Sequence, residues 1–168
     1  MALTLGTGFG AGLLPKAPGT FGSMLAIPIF VLFSPLPIGL QAITWLGLGA
    51  LGTWAAGVAG GHYGVEDDGR IVIDEVVGQW LALLPLVPLG AGIHAGTWMQ
   101  PGSIALLVTG FVAFRCFDIA KPGPVGWAER RFTGGLGVMM DDVVAGAFGA
   151  VVVAVAALLV AAVAGGAA

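Results

Sequence analysis

The stretch Gly135–Gly166, "GLGVMMDDVVAGAFGAVVVAVAALLVAAVAGG", decides how this chain is built. From Val143 onward it carries no charged residue. The run is long enough for a membrane-crossing helix, which needs about 20 apolar residues. At its threshold stand two adjacent carboxylates, Asp141 and Asp142. Ionisable groups beside hydrocarbon are costly and call for a reason.

Composition extends this reading to the whole chain. Its 168 residues fit a single domain over 1–168. Only 9% of residues are charged and 58% are hydrophobic, against about 25% charged in an ordinary soluble domain. With a mean hydropathy of +1.01, the chain reads as an integral membrane protein. The net charge of -3 lacks the basic patch of a nucleic-acid binder. The single cysteine, Cys116, excludes an intrachain disulfide and disfavours a zinc cluster. The start, "MALTLGTGFGAGLLPK", lacks the basic n-region of a cleaved signal.

The charges are sorted. Lys16 stands alone, and all others fall between Glu66 and Glu75 or between Arg115 and Asp142. Ala17–Val65, Val76–Phe114 and Val143–Ala168 are uncharged. Prolines and glycines divide the first two stretches. The expected fold is therefore an all-α membrane bundle of about five embedded segments: Thr20–Phe33, Leu40–Gly61, Val76–Gly90, Ile104–Ala120 and Val143–Ala164. The first is short and carries Pro28, so a re-entrant helix is the alternative. Five crossings place Lys16 and both charged windows on one side, which cations mark as cytoplasmic. Small residues at Gly57–Gly61 and Gly146–Gly149 predict close helix packing.

The charged windows have local patterns. In "IVIDEVVGQW", Asp74 and Glu75 suit the first turn of a helix, worth about 0.3 to 1 kcal/mol through the macrodipole. The apolar residues before them would nevertheless tend to bury the pair. In "FRCFDIAKPGP", Arg115, Asp118 and Lys121 share a helix face at spacings of three. They form either a local ion pair with a snorkelling lysine or a face offering a carboxylate to a metal and cations to a phosphate. In "AERRFTGGLGVMMDDVVAG", Arg130 and Arg131 suit anionic lipid headgroups. The glycines that follow precede a helix N-terminus, an arrangement that favours anions. Near the N-terminus, "GTGFGAGLLPKAPGTFGS" reads as a shaped loop in which Lys16 reaches an oxyanion and Thr20 or Ser23 caps the next helix.

The remaining inventory narrows the chemistry. His94 falls on the uncharged side and His62 near the charged side, so a histidine pair is not expected. No nucleophile elbow or Walker loop is present. Clustered carboxylates with cations suit Mg²⁺ and substrate phosphates, and hence a metal-assisted phosphoryl-transfer site at the cytoplasmic membrane surface.

Four motifs, "PKAPGTFGS", "IVIDEVVGQ", "FRCFDIAKPGPV" and "GGLGVMMDDVVAG", fall in order over roughly Gly6 to Gly146. Together they closely resemble the phosphatidylglycerophosphatase A family. The resemblance implies an all-helical, Mg²⁺-dependent phosphatase of the bacterial inner membrane, which converts phosphatidylglycerophosphate to phosphatidylglycerol. By motif, the acidic set is Asp74, Glu75, Asp118, Asp141 and Asp142. Within it Asp74, Glu75, Asp118 and Asp142 are the expected metal ligands. Lys16, Thr20, Ser23, Arg115 and Lys121 are expected to hold the phosphate. A carboxylate would act either as general base on water or as nucleophile. Two other classes compete: a small transporter using intramembrane acids as ion ligands, and a non-catalytic scaffold for anionic lipids.

Overall fold

Proline and glycine punctuate the chain into its helices. The computed structural model describes residues 1–165. Among them are seven α-helices and no strand: α1 Ala2–Gly6, α2 Pro18–Phe33, α3 Ile38–Tyr63, α4 Ile73–Leu83, α5 Pro101–Ala120, α6 Pro124–Arg131 and α7 Gly134–Gly165. Pro18, Pro101 and Pro124 each occupy a first helical position, where the missing N–H costs nothing and φ is already helical. Gly64 closes α3 in the left-handed conformation, at φ 75°.

Three helices, α3, α5 and α7, are long and apolar enough to cross a membrane. The other two expected segments are shorter. α2 has 16 residues and α4 has 11, or about 24 Å and 16 Å of rise. Leu84–Leu86 continues α4 only as a 3-10 turn containing Pro85, because proline removes a backbone donor and clashes with the preceding turn. The Val76–Gly90 segment is thus a short central helix and not a full-length span.

α4 is the core of the bundle. Nine of its residues are buried, from Ile73 to Leu83, and α2, α3, α5 and α7 all pack on it. Although it carries Asp74, Glu75 and Gln79, the rest of the helix is apolar, so its hydropathy resembles that of a span while its burial is that of a core helix. Its tightest neighbour is α7. A Cβ on Gly146 would collide with the Gly78 backbone, 3.1 Å from its Cα, so the two backbones meet there. Gly57 likewise lies against Gly135. Trp45 Nε1 donates to the Val77 carbonyl at 3.0 Å, and Phe30, Trp80, Leu83 and Val153 fill the adjoining core.

The two ends of the bundle differ. At one end the Gly134 N–H donates to Glu66 Oε2 at 2.9 Å, and Lys121 reaches Asp141. The Val72 N–H donates to the Gly6 carbonyl at 2.8 Å, tying in α1. At the other end uncharged groups close the loops: Ser34 Oγ donates to the Ile93 carbonyl, and Gln41 Nε2 to the Ser34 and Leu36 carbonyls. The side chains of both charged windows therefore gather where α3 and α5 end and where α4 and α7 begin.

Candidate active site

α4 begins at Ile73, so Asp74 and Glu75 lie in its first turn. α7 begins at Gly134, so Asp142 lies two turns inside it. The Gly78–Gly146 contact brings these turns together. Asp74, Glu75 and Asp142 each place a carboxylate oxygen within 4.8 Å of the other two. Asp74 and Asp142 are buried and Glu75 is half-buried. Asp74 Oδ1, Glu75 Oε2 and Asp142 Oδ2 are shielded from solvent and have no hydrogen-bond partner among the described residues.

That arrangement is electrostatically incomplete. Three carboxylates this close repel one another, and burial removes the water that would screen them. Unpartnered buried acceptors also carry a desolvation cost of about 1–3 kcal/mol each, and more when charged. A bound metal ion relieves both penalties, and an all-oxygen donor set suits a hard cation. The cluster therefore has the chemistry of a metal site.

Asp141 points elsewhere, as adjacent helical residues diverge by about 100°. It accepts a 2.7 Å bond from Lys121 Nζ, which also donates to Glu129 Oε1 at 2.7 Å. Burial alone would lower the Lys121 ammonium's pKa, but these two carboxylates outweigh it and hold the pKa above the ordinary lysine value. Lys121 is the left-handed cap of α5, with φ 43°. Asp118 lies outside the three-carboxylate cluster, beside Asp142. Arg115 Nη1 pairs with Asp118 at 2.5 Å and lies 3.9 Å from Glu75.

The N-terminal motif contributes through backbone. Gly19 packs directly on Glu75 and Arg115, leaving no room for a side chain. α2 starts at Pro18 after Ala17, without a side-chain cap. The expected capping by Thr20 or Ser23 is therefore incorrect, because both lie inside the helix. Ser23 is buried and donates from Oγ to the Gly19 carbonyl at 2.9 Å, and Thr20 is half-buried. Lys16 is exposed just before α2. Arg130 and Arg131 are exposed in the last turn of α6, where their charge complements the helix dipole.

Three further residues adjoin this region. Gln79 is completely buried, with neither amide atom partnered among the described residues. It follows Glu75 by one turn on the same face, and that spacing was readable in "IVIDEVVGQW". Glu129 shares Lys121, and Asp67 lines a cavity of about 90 Å³ together with Glu66, Glu129 and Asp141. The chain folds back between these residues, so no local spacing announces them. Asp67 is exposed as a residue. Even so, partial burial first, and the Asp141 charge second, push its carboxyl pKa above the usual value. At the rim, Asp68 pairs with Arg70 at 2.6 Å, and this hydrogen bond lowers the Asp68 pKa to about 2.

Comparison with known proteins places this geometry. The family model for phosphatidylglycerophosphatase A matches residues 4–157. The chain is 38% identical to phosphatidylglycerophosphatase A of Escherichia coli (strain K12), over 87% of this chain and 77% of that protein. It is 33% identical to phosphatidylglycerophosphatase A of Haemophilus influenzae, over 89% and 84%. It is also 40% identical, over 93% of both chains, to a Bacteroides thetaiotaomicron protein named "Putative phosphatidylinositol-3-phosphatase". No solved structure matches the chain. With a family match spanning nearly its whole length, all-helical and carrying a buried acidic cluster, the chain belongs to the phosphatidylglycerophosphatase A family of lipid phosphatases.

Proposed function

We propose that the acidic cluster is an Mg²⁺ site at which the terminal phosphate of phosphatidylglycerophosphate is hydrolysed, yielding phosphatidylglycerol for phospholipid synthesis. One observation carries the reading: Asp74, Glu75 and Asp142 converge with a solvent-shielded, unpartnered oxygen on each, beside Arg115.

Asp74, Glu75 and Asp142 hold the metal, which when bound supplies Lewis-acid polarisation of the phosphoryl group. Arg115 offers its planar fork to the phosphate oxygens while Asp118 and Glu75 hold it in place. Asp118 stands beside the cluster as a carboxylate for the reacting water or phosphorus. It acts either as a base, taking the water's proton as the water oxygen bonds to phosphorus and returning it to the glycerol oxygen as the phosphorus–oxygen bond breaks, or as a nucleophile. In the second case an acyl phosphate forms as the glycerol oxygen leaves with a proton from water, and the acyl phosphate is then hydrolysed. Lys121 is a fixed positive charge between Glu129 and Asp141. Lys16, just before α2, and Thr20, in its first turn, are candidates to bind the phosphate oxygens; Ser23, whose hydroxyl is given to the Gly19 carbonyl, supports that turn, and Arg130 and Arg131 face lipid headgroups.

The protein sits in the bacterial inner membrane with this end toward the cytoplasm, consistent with the cations gathered there. The test is phosphate release from phosphatidylglycerophosphate by the purified protein in detergent. Release that requires Mg²⁺ supports the reading, whereas unchanged release in excess chelator rules out the metal. The Bacteroides relative's name favours a second substrate. Phosphatidylinositol 3-phosphate belongs in the same assay, and its preferential hydrolysis would reassign the headgroup.

A further inference from the structure

An apolar furrow runs along the outside of the bundle between α2 and α5. Its first cavity, about 270 Å³, lies between Met24 and Ile27 of α2 and Leu107 and Phe111 of α5. A second, about 360 Å³, continues past Ile27 to Val31. Trp98, from the loop before α5, lines both cavities, as does Ile27. The two are therefore parts of one furrow.

The furrow's near end lies one helical turn from the site. Phe111 precedes Arg115 by one turn of α5, and Met24 follows Thr20 by one turn of α2. Between those turns lies the contact of Gly19 with Glu75 and Arg115. From Gly19 to Val31 the rise is about 18 Å, close to the ~15 Å of half a hydrocarbon core. Every side chain lining it is apolar. Met24 and Trp98 are exposed, so the furrow opens sideways.

We infer that this furrow is the acyl-chain subsite of the enzyme: one fatty acyl chain of the phospholipid lies between α2 and α5, entering laterally from the bilayer, with its phosphomonoester at Arg115. The inference rests on the lipid phosphatase reading of the acidic site. It adds a binding site for hydrocarbon, the part of the substrate that the polar residues cannot recognise. Its alignment with the site selects this occupant over bulk lipid: the furrow ends one turn short of Arg115, on the same two helices that flank it.

The experiment compares two substrates that carry the same phosphomonoester: dipalmitoyl phosphatidylglycerophosphate in mixed micelles, and its deacylated, water-soluble counterpart. Ile27→Trp and Leu107→Trp fill the furrow. Each should lower kcat/KM for the lipid at least about tenfold more than for the deacylated compound, mainly through KM, a loss typical of a blocked apolar subsite. Leu159→Trp, on an exposed part of α7, should change neither rate. Equal effects on both substrates, or none, overturn the subsite.

Wild-type protein and a substrate bearing a diazirine in one acyl chain keep the test independent of variant folding. Photoadducts should fall on α2 and α5 and be competed away by unlabelled lipid, whereas adducts elsewhere, or uncompeted ones, overturn the proposal. If the wild type releases phosphate from neither substrate, the reading of the acidic site fails, and the subsite falls with it.

Discussion

Gly19 and Glu75 touch: a methyl group on Gly19 would overlap Glu75 Oε1 and approach Arg115 Nη1 to 3.2 Å. The glycine is the floor against which the carboxylate rests. Gly19→Ala should therefore displace Glu75 and cut phosphate release about 100-fold, the scale of a 1 Å misplacement in a catalytic site. Gly39→Ala meets nothing within 4 Å and serves as the comparison, expected to stay near wild-type activity. Near-full activity in Gly19→Ala would place Glu75 outside the reaction.

Asp74→Asn and Asp142→Asn should each lose about 100-fold or more of turnover, while the protein remains folded. Each also removes one of three mutually repelling carboxylates, so in chelator both variants should melt at or above the wild-type temperature. Adding Mg²⁺ should raise the wild-type melting temperature by mass action and leave the variants nearly unmoved. Equal Mg²⁺ shifts in all three proteins would move the metal elsewhere.

Lys121 joins α5, α6 and α7 through Asp141 and Glu129. Lys121→Met leaves the buried Asp141 carboxylate unpaired and should destabilise the protein by about 1–3 kcal/mol. Adding Asp141→Asn should recover much of that loss, because the two residues act as a pair. Thermal unfolding of the two single variants and the double variant measures this coupling, and strict additivity would mean that the pair contributes nothing.

The Asp67 carboxyl is raised in the fold, so its neutral form is the favoured one there. A raised acid contributes full stability below its unfolded pKa, about 3.9, and loses it as pH rises through the higher folded value. Asp67→Asn should therefore raise the melting temperature near pH 7, with the gain shrinking toward pH 4. A gain independent of pH would show that charge at this position is not the cause.

Gln79 buries an amide with no partner among the described residues. Gln79→Leu removes a desolvation cost of about 1–3 kcal/mol, so the variant should melt higher. Its turnover should fall if the amide serves the site one turn away, a trade expected where function retains an unfavourable group. A variant both less stable and fully active would contradict both expectations.

The sequence reading reached the helical class and the charged end because both rest on periodicity-free signals: long uncharged stretches and two confined windows of charge. Helix starts were less legible: the expected segments begin at Thr20 and Ile104, whereas the helices begin at Pro18 and Pro101, and Pro124 opens a further helix, α6. Span length was harder to read. Val76–Gly90 has the composition of a crossing, and only packing shows that α4 is a short core helix surrounded by its neighbours. The N-terminal motif misled differently. Thr20 and Ser23 are residue types that cap helices, but Pro18 had already begun the turn. Glu129, Asp67 and the Gly19–Glu75 contact depend on how distant segments return to one another. Glycine, having no side chain, gives no hint of the partner it leaves room for.

Helix α7 also sets a distance. Asp142 lies roughly 12 Å along it from Gly134, and about 35 Å of helix follows as far as Gly165, at 1.5 Å per residue. That remainder is little more than the ~30 Å hydrocarbon thickness, so a crossing by this stretch would set the carboxylate near the plane where acyl chains give way to headgroups. The helix is in effect a ruler fixed in the bilayer. In that pose the helix would hold Asp142, and with it Asp74 and Glu75, at one fixed height in the bilayer.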